Sequence, residues 1–84
     1  MGELSKVVNI GEFIENQLNE VGISTYEELK RVGAKEAWLR IKSIDYSACI
    51  HRLYALEGAI NGIKKSQLSE EIKVELKEFY NNHK

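Results

Sequence analysis

The apolar residues of this chain recur at helical spacing almost from end to end, and no proline interrupts them. Ile10, Phe13, Ile14, Leu18 and Val21 fall at i, i+3, i+4, i+8 and i+11, which is one face of a helix. Asn9 ahead of them and Glu12 three residues later form an N-terminal capping pattern. Gly22, next after Val21, suits the turn that ends a helix. The spacing predicts a first helix over about Ile10–Val21. Ser24 with Glu27, or Thr25 with Glu28, caps a second helix that turns Tyr26, Leu29 and Val32 inward and ends at Gly33. A third turns Ala37, Trp38 and Ile41 inward, with Ile44 at the end of that stripe. Asp45 caps a fourth, about Tyr46–Asn61. Along it and just beyond, Cys49, Leu53, Leu56, Ile60 and Ile63 point within about 40° of one direction at 100° per residue. Ser69 caps a fifth, with Ile72, Leu76, Phe79 and Tyr80 inward and residues 81–84 fraying.

Strand-like alternation never extends beyond a few residues, and no Gly-, Ser- or Pro-rich linker divides the chain. The predicted connections are short, so consecutive helices must pack on one another. The fourth helix also carries Ala55 and Ala59, with Ala48 and Gly62 near its ends, and is apolar or small round most of its circumference. That marks a central helix with helices 1, 2, 3 and 5 around it. The expected fold is all-α, a single domain of five helices over 1–84 with its ordered core at about 4–80. At 84 residues the chain has little room for an internal substrate cavity beside a core.

No run of about 18 apolar residues is present to span a membrane. The first residues lack the basic flank and apolar stretch of a signal peptide. Lys6 stands where a myristoylation signal at Gly2 calls for Ser or Thr. The single cysteine, Cys49, excludes an internal disulfide and a cysteine-based zinc site. A cytoplasmic location is the expectation.

Catalytic patterns are missing. No glycine-rich phosphate loop of the P-loop or dinucleotide type occurs. Cys49 and His51 lie two apart on the predicted fourth helix, about 200° from each other, and so cannot pair as nucleophile and base. Cys49 on the inward stripe reads as a small core residue. Glu27-Glu28 and Glu70-Glu71 sit in first helical turns, where negative charge is favourable. His51 has no metal-ligand spacing with Asp45 or Glu57. No enzyme, cofactor, metal or small-molecule substrate is expected.

The net charge of −1 hides a segregation. Residues 1–29 hold six acids and one base, residues 30–65 eight bases and three acids, and the remainder four acids and three bases. Two readings of the basic middle stand. Its charges are solvated helix faces that pair with acids, or Lys30, Arg31, Lys35 and Arg40 converge as weak, sequence-independent nucleic-acid contacts.

A second surface comes from the fourth helix. His51, Tyr54 and Gly58 fall about 140–200° from the direction of Cys49, with Ala55 and Gly62 just beyond. Two rings and three small residues stand where a solvated face carries Lys, Glu or Gln, and Arg52, Glu57 and Lys65 rim them. Either another helix of the chain covers this stripe, or part of it stays open for a protein partner or a second copy.

Asn9-Ile10-Gly11, a helix, Val21-Gly22-Ile23-Ser24-Thr25, Glu28-Leu29 and Gly33-Ala34 resemble a helix-hairpin-helix element over about residues 7–37. In that family a glycine turn offers backbone N–H groups to a DNA phosphate. Here the turn holds one glycine, Gly11, and Glu12 stands where the anion would bind. The turn Asn9, Ile10, Gly11 therefore reads as a packing device.

A second resemblance covers about Leu4 to Tyr80. Asn9-Ile10-Gly11, Leu18-Asn19-Glu20-Val21-Gly22-Ile23, Glu28-Leu29 and Gly33-Ala34-Lys35-Glu36-Ala37-Trp38-Leu39 are similar to the C-terminal domain of the TfoX/Sxy competence-regulator family. So is the long stretch Ser47-Ala48-Cys49-Ile50-His51-Arg52-Leu53-Tyr54-Ala55-Leu56-Glu57-Gly58-Ala59-Ile60. Val8, Tyr46 and Ser69 stand where family members often carry proline, which bears on caps and turns. Regulators of the family also carry an N-terminal domain, which this chain does not show. The resemblance implies a small helical domain linked to the regulation of DNA uptake. Together with the absence of catalytic groups, it leads to a non-enzymatic interaction domain acting through protein contacts. The alternative is weak nucleic-acid binding by segment 30–65.

Overall fold

A computed structural model gives the arrangement of the chain, described here for residues 3–83. The myristoylation question at Gly2 and the fraying of Lys84 lie outside the described residues. Among those residues there are five α-helices, two short 3₁₀ turns and no strand. A 3₁₀ turn at Glu3–Lys6 leads to α1 (Glu12–Glu20), α2 (Tyr26–Val32), α3 (Ala34–Ile44) and α4 (Ile50–Asn61). A second 3₁₀ turn at Lys65–Gln67 leads to α5 (Glu70–His83), which stays helical through the residues expected to fray.

The caps explain most of these limits. Thr25 opens α2 with a full capping box, its hydroxyl accepting the Glu28 N–H while Glu28 reaches back to the Thr25 N–H. The same carboxylate also accepts the backbone N–H and hydroxyl of Ser24, so the Thr25–Glu28 alternative is the one that forms, and Ser24 turns to Glu28 instead of Glu27. Those bonds, led by the Ser24 N–H, hold the Glu28 carboxyl below its ordinary range. Ser69 accepts the Ile72 N–H at the start of α5.

Two helices begin later than the spacing predicts. α1 starts at Glu12, with Gly11 as its N-cap and no side-chain cap. Asn9 adopts φ 69° outside the helix and turns its amide to other partners. With Ile10 outside the helix, the buried face recentres on Leu18 and on the buried polar residues Glu15 and Gln17. Phe13, expected inward, is left 61% exposed. α4 starts at Ile50 because the Asp45 carboxylate folds back onto the N–H and hydroxyl of Ser47, closing a turn instead of capping a helix. Cys49 becomes the N-cap and is exposed rather than inward.

The core is continuous. Trp38, Leu4, Leu18, Ile23, Leu29, Ile41, Leu53 and Leu56 are fully buried. The Trp38 indole donates to the Cys49 carbonyl at 3.2 Å and meets Phe79 and Tyr80 of α5 edge-on. α4 packs against α2, α3, α5 and the second 3₁₀ turn. α1 departs from the expected wrapping. It packs chiefly on α3 and the first 3₁₀ turn, and a groove opens between it and α4.

The end of α4 is shaped by two glycines. Gly62, at φ 70°, takes the left-handed conformation that lets the Ile63 N–H return to the Gly58 carbonyl. Gly58 is buried because that turn and Asn9 press against it. A Cβ there would stand 2.8 Å from the Ile63 carbonyl oxygen and 2.5 Å from the Asn9 amide nitrogen. Alanine favours a helix interior over glycine by about 1 kcal/mol. Crowding against a fixed backbone oxygen costs about 1–3 kcal/mol and outweighs it. Gly58→Ala is therefore expected to lower the melting temperature by several degrees. A melt at or above wild type would show that the 62–65 turn yields.

Candidate functional site

The groove between α1 and α4 has a volume of about 370 Å³. Phe13 and Ile14 form one side, and Cys49, His51, Arg52 and Ala55 the other. Asn9 and Lys65 close one end. The floor is apolar, every charged side chain lining it is a base, and no carboxylate lines it among the described residues.

Arg52 fixes the wall. Its guanidinium bonds the Asp45 carboxylate at 2.9 Å and the Gln17 amide oxygen at 3.3 Å, while the Gln17 amide nitrogen donates to the same Asp45 oxygen at 2.8 Å. Three segments, α1, the 45–49 turn and α4, are joined by this one cluster. Gln17 is buried, and the Arg52–Asp45 pair is largely withdrawn from water. The guanidinium also lies 5.4 Å from the centre of the Phe13 ring, a cation–π contact that braces an otherwise exposed aromatic.

Asn9 fixes the end. Its amide donates to the Ile63 carbonyl at 2.9 Å and the Ala55 carbonyl at 3.4 Å, and its oxygen accepts the Lys65 N–H at 3.3 Å. Ile10 beside it is buried, and a Cβ at Gly11 would meet open space. The turn Asn9, Ile10, Gly11 thus packs on the end of α4. The first turn of α1 also holds Glu12 and a buried Glu15, which accepts the Ser5 N–H at 3.2 Å.

His51 and Arg52 line the groove, and Tyr54 meets His51 edge-on at 6.3 Å, half-buried against the core. Gly58 lies apart from them, sealed under Asn9. Three of the four candidate bases of the middle segment are engaged by neighbouring side chains. Lys30 lies over the Tyr26 ring, and Arg31 is exposed beside it at the end of α2. Lys35 bonds Glu75 of α5 at 2.6 Å, and Arg40 bonds Glu36 at 3.1 Å. Lys35 and Arg40 project about 140° apart on α3 at 100° per residue. Acids interleave with the bases there.

Sequence reasoning placed Lys65 on the rim of the candidate surface but missed Phe13 and Cys49 as groove residues. The Asp45-Tyr46-Ser47 triplet is a legible Asx-turn signal that would have delayed the start of α4 and turned Cys49 outward. The exposure of Phe13 follows from the departure of Asn9 from its cap, which no local pattern announces.

The Ser47 hydroxyl, then the Gln17 amide and the Arg52 guanidinium, hold the Asp45 carboxyl far below the usual carboxylate range. A carboxyl depressed in the folded state stabilises it above the unfolded value, near 4, and loses that contribution as the pH falls toward the folded value. Asp45→Asn is expected to melt below wild type at pH 7, with the gap narrowing below about pH 4. A gap independent of pH would show that the charge of Asp45 does not hold the cluster.

A family model described as the TfoX C-terminal domain matches residues 1–80. Protein Sxy of Escherichia coli (strain K12) is 36% identical over 76 residues, which are 90% of this chain and 36% of Sxy. The chain thus spans little more than a third of the length of that curated relative. The crystal structure of an uncharacterized protein from Listeria monocytogenes, in a triclinic form, matches with a TM-score of 0.93 and 51% identity, covering 94% of this chain and 90% of that one. A tetragonal form of a Listeria monocytogenes protein, described as of unknown function, matches with a TM-score of 0.93 and 49% identity, covering 96% and 100%.

Proposed function

Because the chain belongs to the TfoX C-terminal domain family, we propose that it is a non-enzymatic regulatory domain, of the kind found in competence regulators, whose α1/α4 groove binds another protein chain. The observation that carries this reading is the apolar groove lined by Arg52 and Lys65, with Phe13 exposed at its lip. An aromatic anchor beside an arginine, both held in place before a partner arrives, is the make-up of an interface centre. Ordering such groups in advance lowers the entropic cost of binding. No three His, Cys, Asp or Glu side chains gather to hold a metal among the described residues. No described helix is long and apolar enough to cross a membrane.

Duplex nucleic acid fits less well. The bases at Lys35 and Arg40 are engaged by Glu75 and Glu36, and the α1 N-terminus is crowded by Glu12 and Glu15. A polyanion needs a continuous track of free cations.

Phe13→Asp tests the groove. The side chain is mostly exposed, so the variant is expected to melt close to wild type while losing the protein that wild type crosslinks in its own cells. A variant that retains the same crosslinked partner would overturn the reading. In parallel, a gel shift at physiological salt is expected to show duplex DNA bound no more tightly than about 10⁻⁶ M. A nanomolar, sequence-selective shift would replace protein binding with DNA binding.

A further inference from the structure

The outer face of α5 is the complement of the groove. Val74 is 53% exposed and is the one exposed large hydrophobic of that helix among the described residues. At 100° per residue it points about 160° away from Leu76, which is buried in the core. Glu70, Glu71 and Glu78 fall within about 60° of it, with Lys77 the one base in that arc. All four are exposed. One aliphatic side chain ringed by carboxylates thus stands on α5, and one apolar slot rimmed by His51, Arg52 and Lys65 stands between α1 and α4.

We infer that the groove receives α5 of a second copy of this chain, with Val74 seated against Phe13 and Ala55 and the glutamates facing Lys65 and His51 at the rim. The inference rests on the groove being an interaction surface, and charge complementarity selects its occupant. A helix laid in an apolar groove is an established recognition mode, and opposite charges at its rim set orientation and association rate. Donor face and groove are different patches, so the contact is head-to-tail. Each copy keeps one free groove or one free face, and association grows with concentration into rings or short chains.

The test uses two variants and their mixture. Val74→Lys spoils the donor face and leaves the groove intact. His51→Glu with Lys65→Glu reverses the rim and leaves α5 intact. All three positions are exposed, so both variants are expected to melt close to wild type, which the same samples check. In low-salt buffer the sedimentation-average mass of wild type is expected to rise between about 10 µM and 1 mM, as a single small contact requires, and to fall when salt is added. Each variant alone is expected to stay monomeric over that range. Mixed, they retain one intact groove and one intact face, and are expected to form a 1:1 pair that grows no further. A wild type that is monomeric at 1 mM overturns the self-contact. So does a wild type whose association survives both variants, or a mixture that stays monomeric. A monomeric wild type whose Phe13→Asp variant still loses its crosslinked partner overturns the self-contact while the broader reading of the groove stands.

Discussion

The cluster of Arg52, Asp45 and Gln17 is the interaction on which the rest of the site depends. α1 shares few direct contacts with α4, and what fixes the distance between them is a guanidinium shared by a carboxylate and an amide. Removing one member of such a cluster leaves the others short of partners in a partly dry setting, which costs more than any single bond contributes. The cluster spaces the helices, and the spacing makes a groove instead of a closed core. Arg52 has a second duty, since its flat face steadies Phe13 at the lip. One residue thus links the stability of the domain to the shape of its surface.

The helical fold was legible because periodicity and caps agree over most of the chain. Tyr26, Leu29, Trp38, Ile41, Leu53, Leu56 and Leu76 all occupy inward positions that their spacing assigns, and Thr25 and Ser69 cap where they stand. The readings that failed share one cause. Asn9 and Asp45 each look like a local cap, and each spends its side chain elsewhere, Asn9 on the far end of α4 and Asp45 on a turn and on two other helices. Short polar side chains have several partners within reach, and tertiary structure decides among them. Moving those two residues moves the starts of α1 and α4, and with them Phe13 and Cys49 pass from core to surface. The site was therefore hidden where the local signals were ambiguous. His51 and Arg52 could be named from the sequence because their helix was recognised. Their neighbours across the groove could not be named, because that pairing is made by residues 35 apart in the chain.

The bases of the middle segment illustrate a related point. Charge counted along a sequence is one-dimensional, and the fold redistributes it. Lys35 meets an acid from α5, Arg40 meets one a turn back on its own helix, and Arg52 meets one seven residues before it. A stretch that is strongly basic on paper becomes a surface on which acids interleave with bases, and of its bases only Arg52 and Lys65 line the groove.

The three bonds of Asn9 reach residues 46, 54 and 56 positions further along the chain. A ribosome delivers those partners long after Asn9 has emerged. Until residues 55–65 are out, Asn9 has none of these three partners, and α1 has no Arg52 to set its angle. Domains generally fold as units as they leave the ribosome, with early segments settling first. Here the order is inverted. The earliest part of the chain must wait for one of the latest, so the groove is completed only when synthesis of the domain is nearly over. Nascent chains halted before α4 would present the first three helices without the central helix that α2 and α3 pack against.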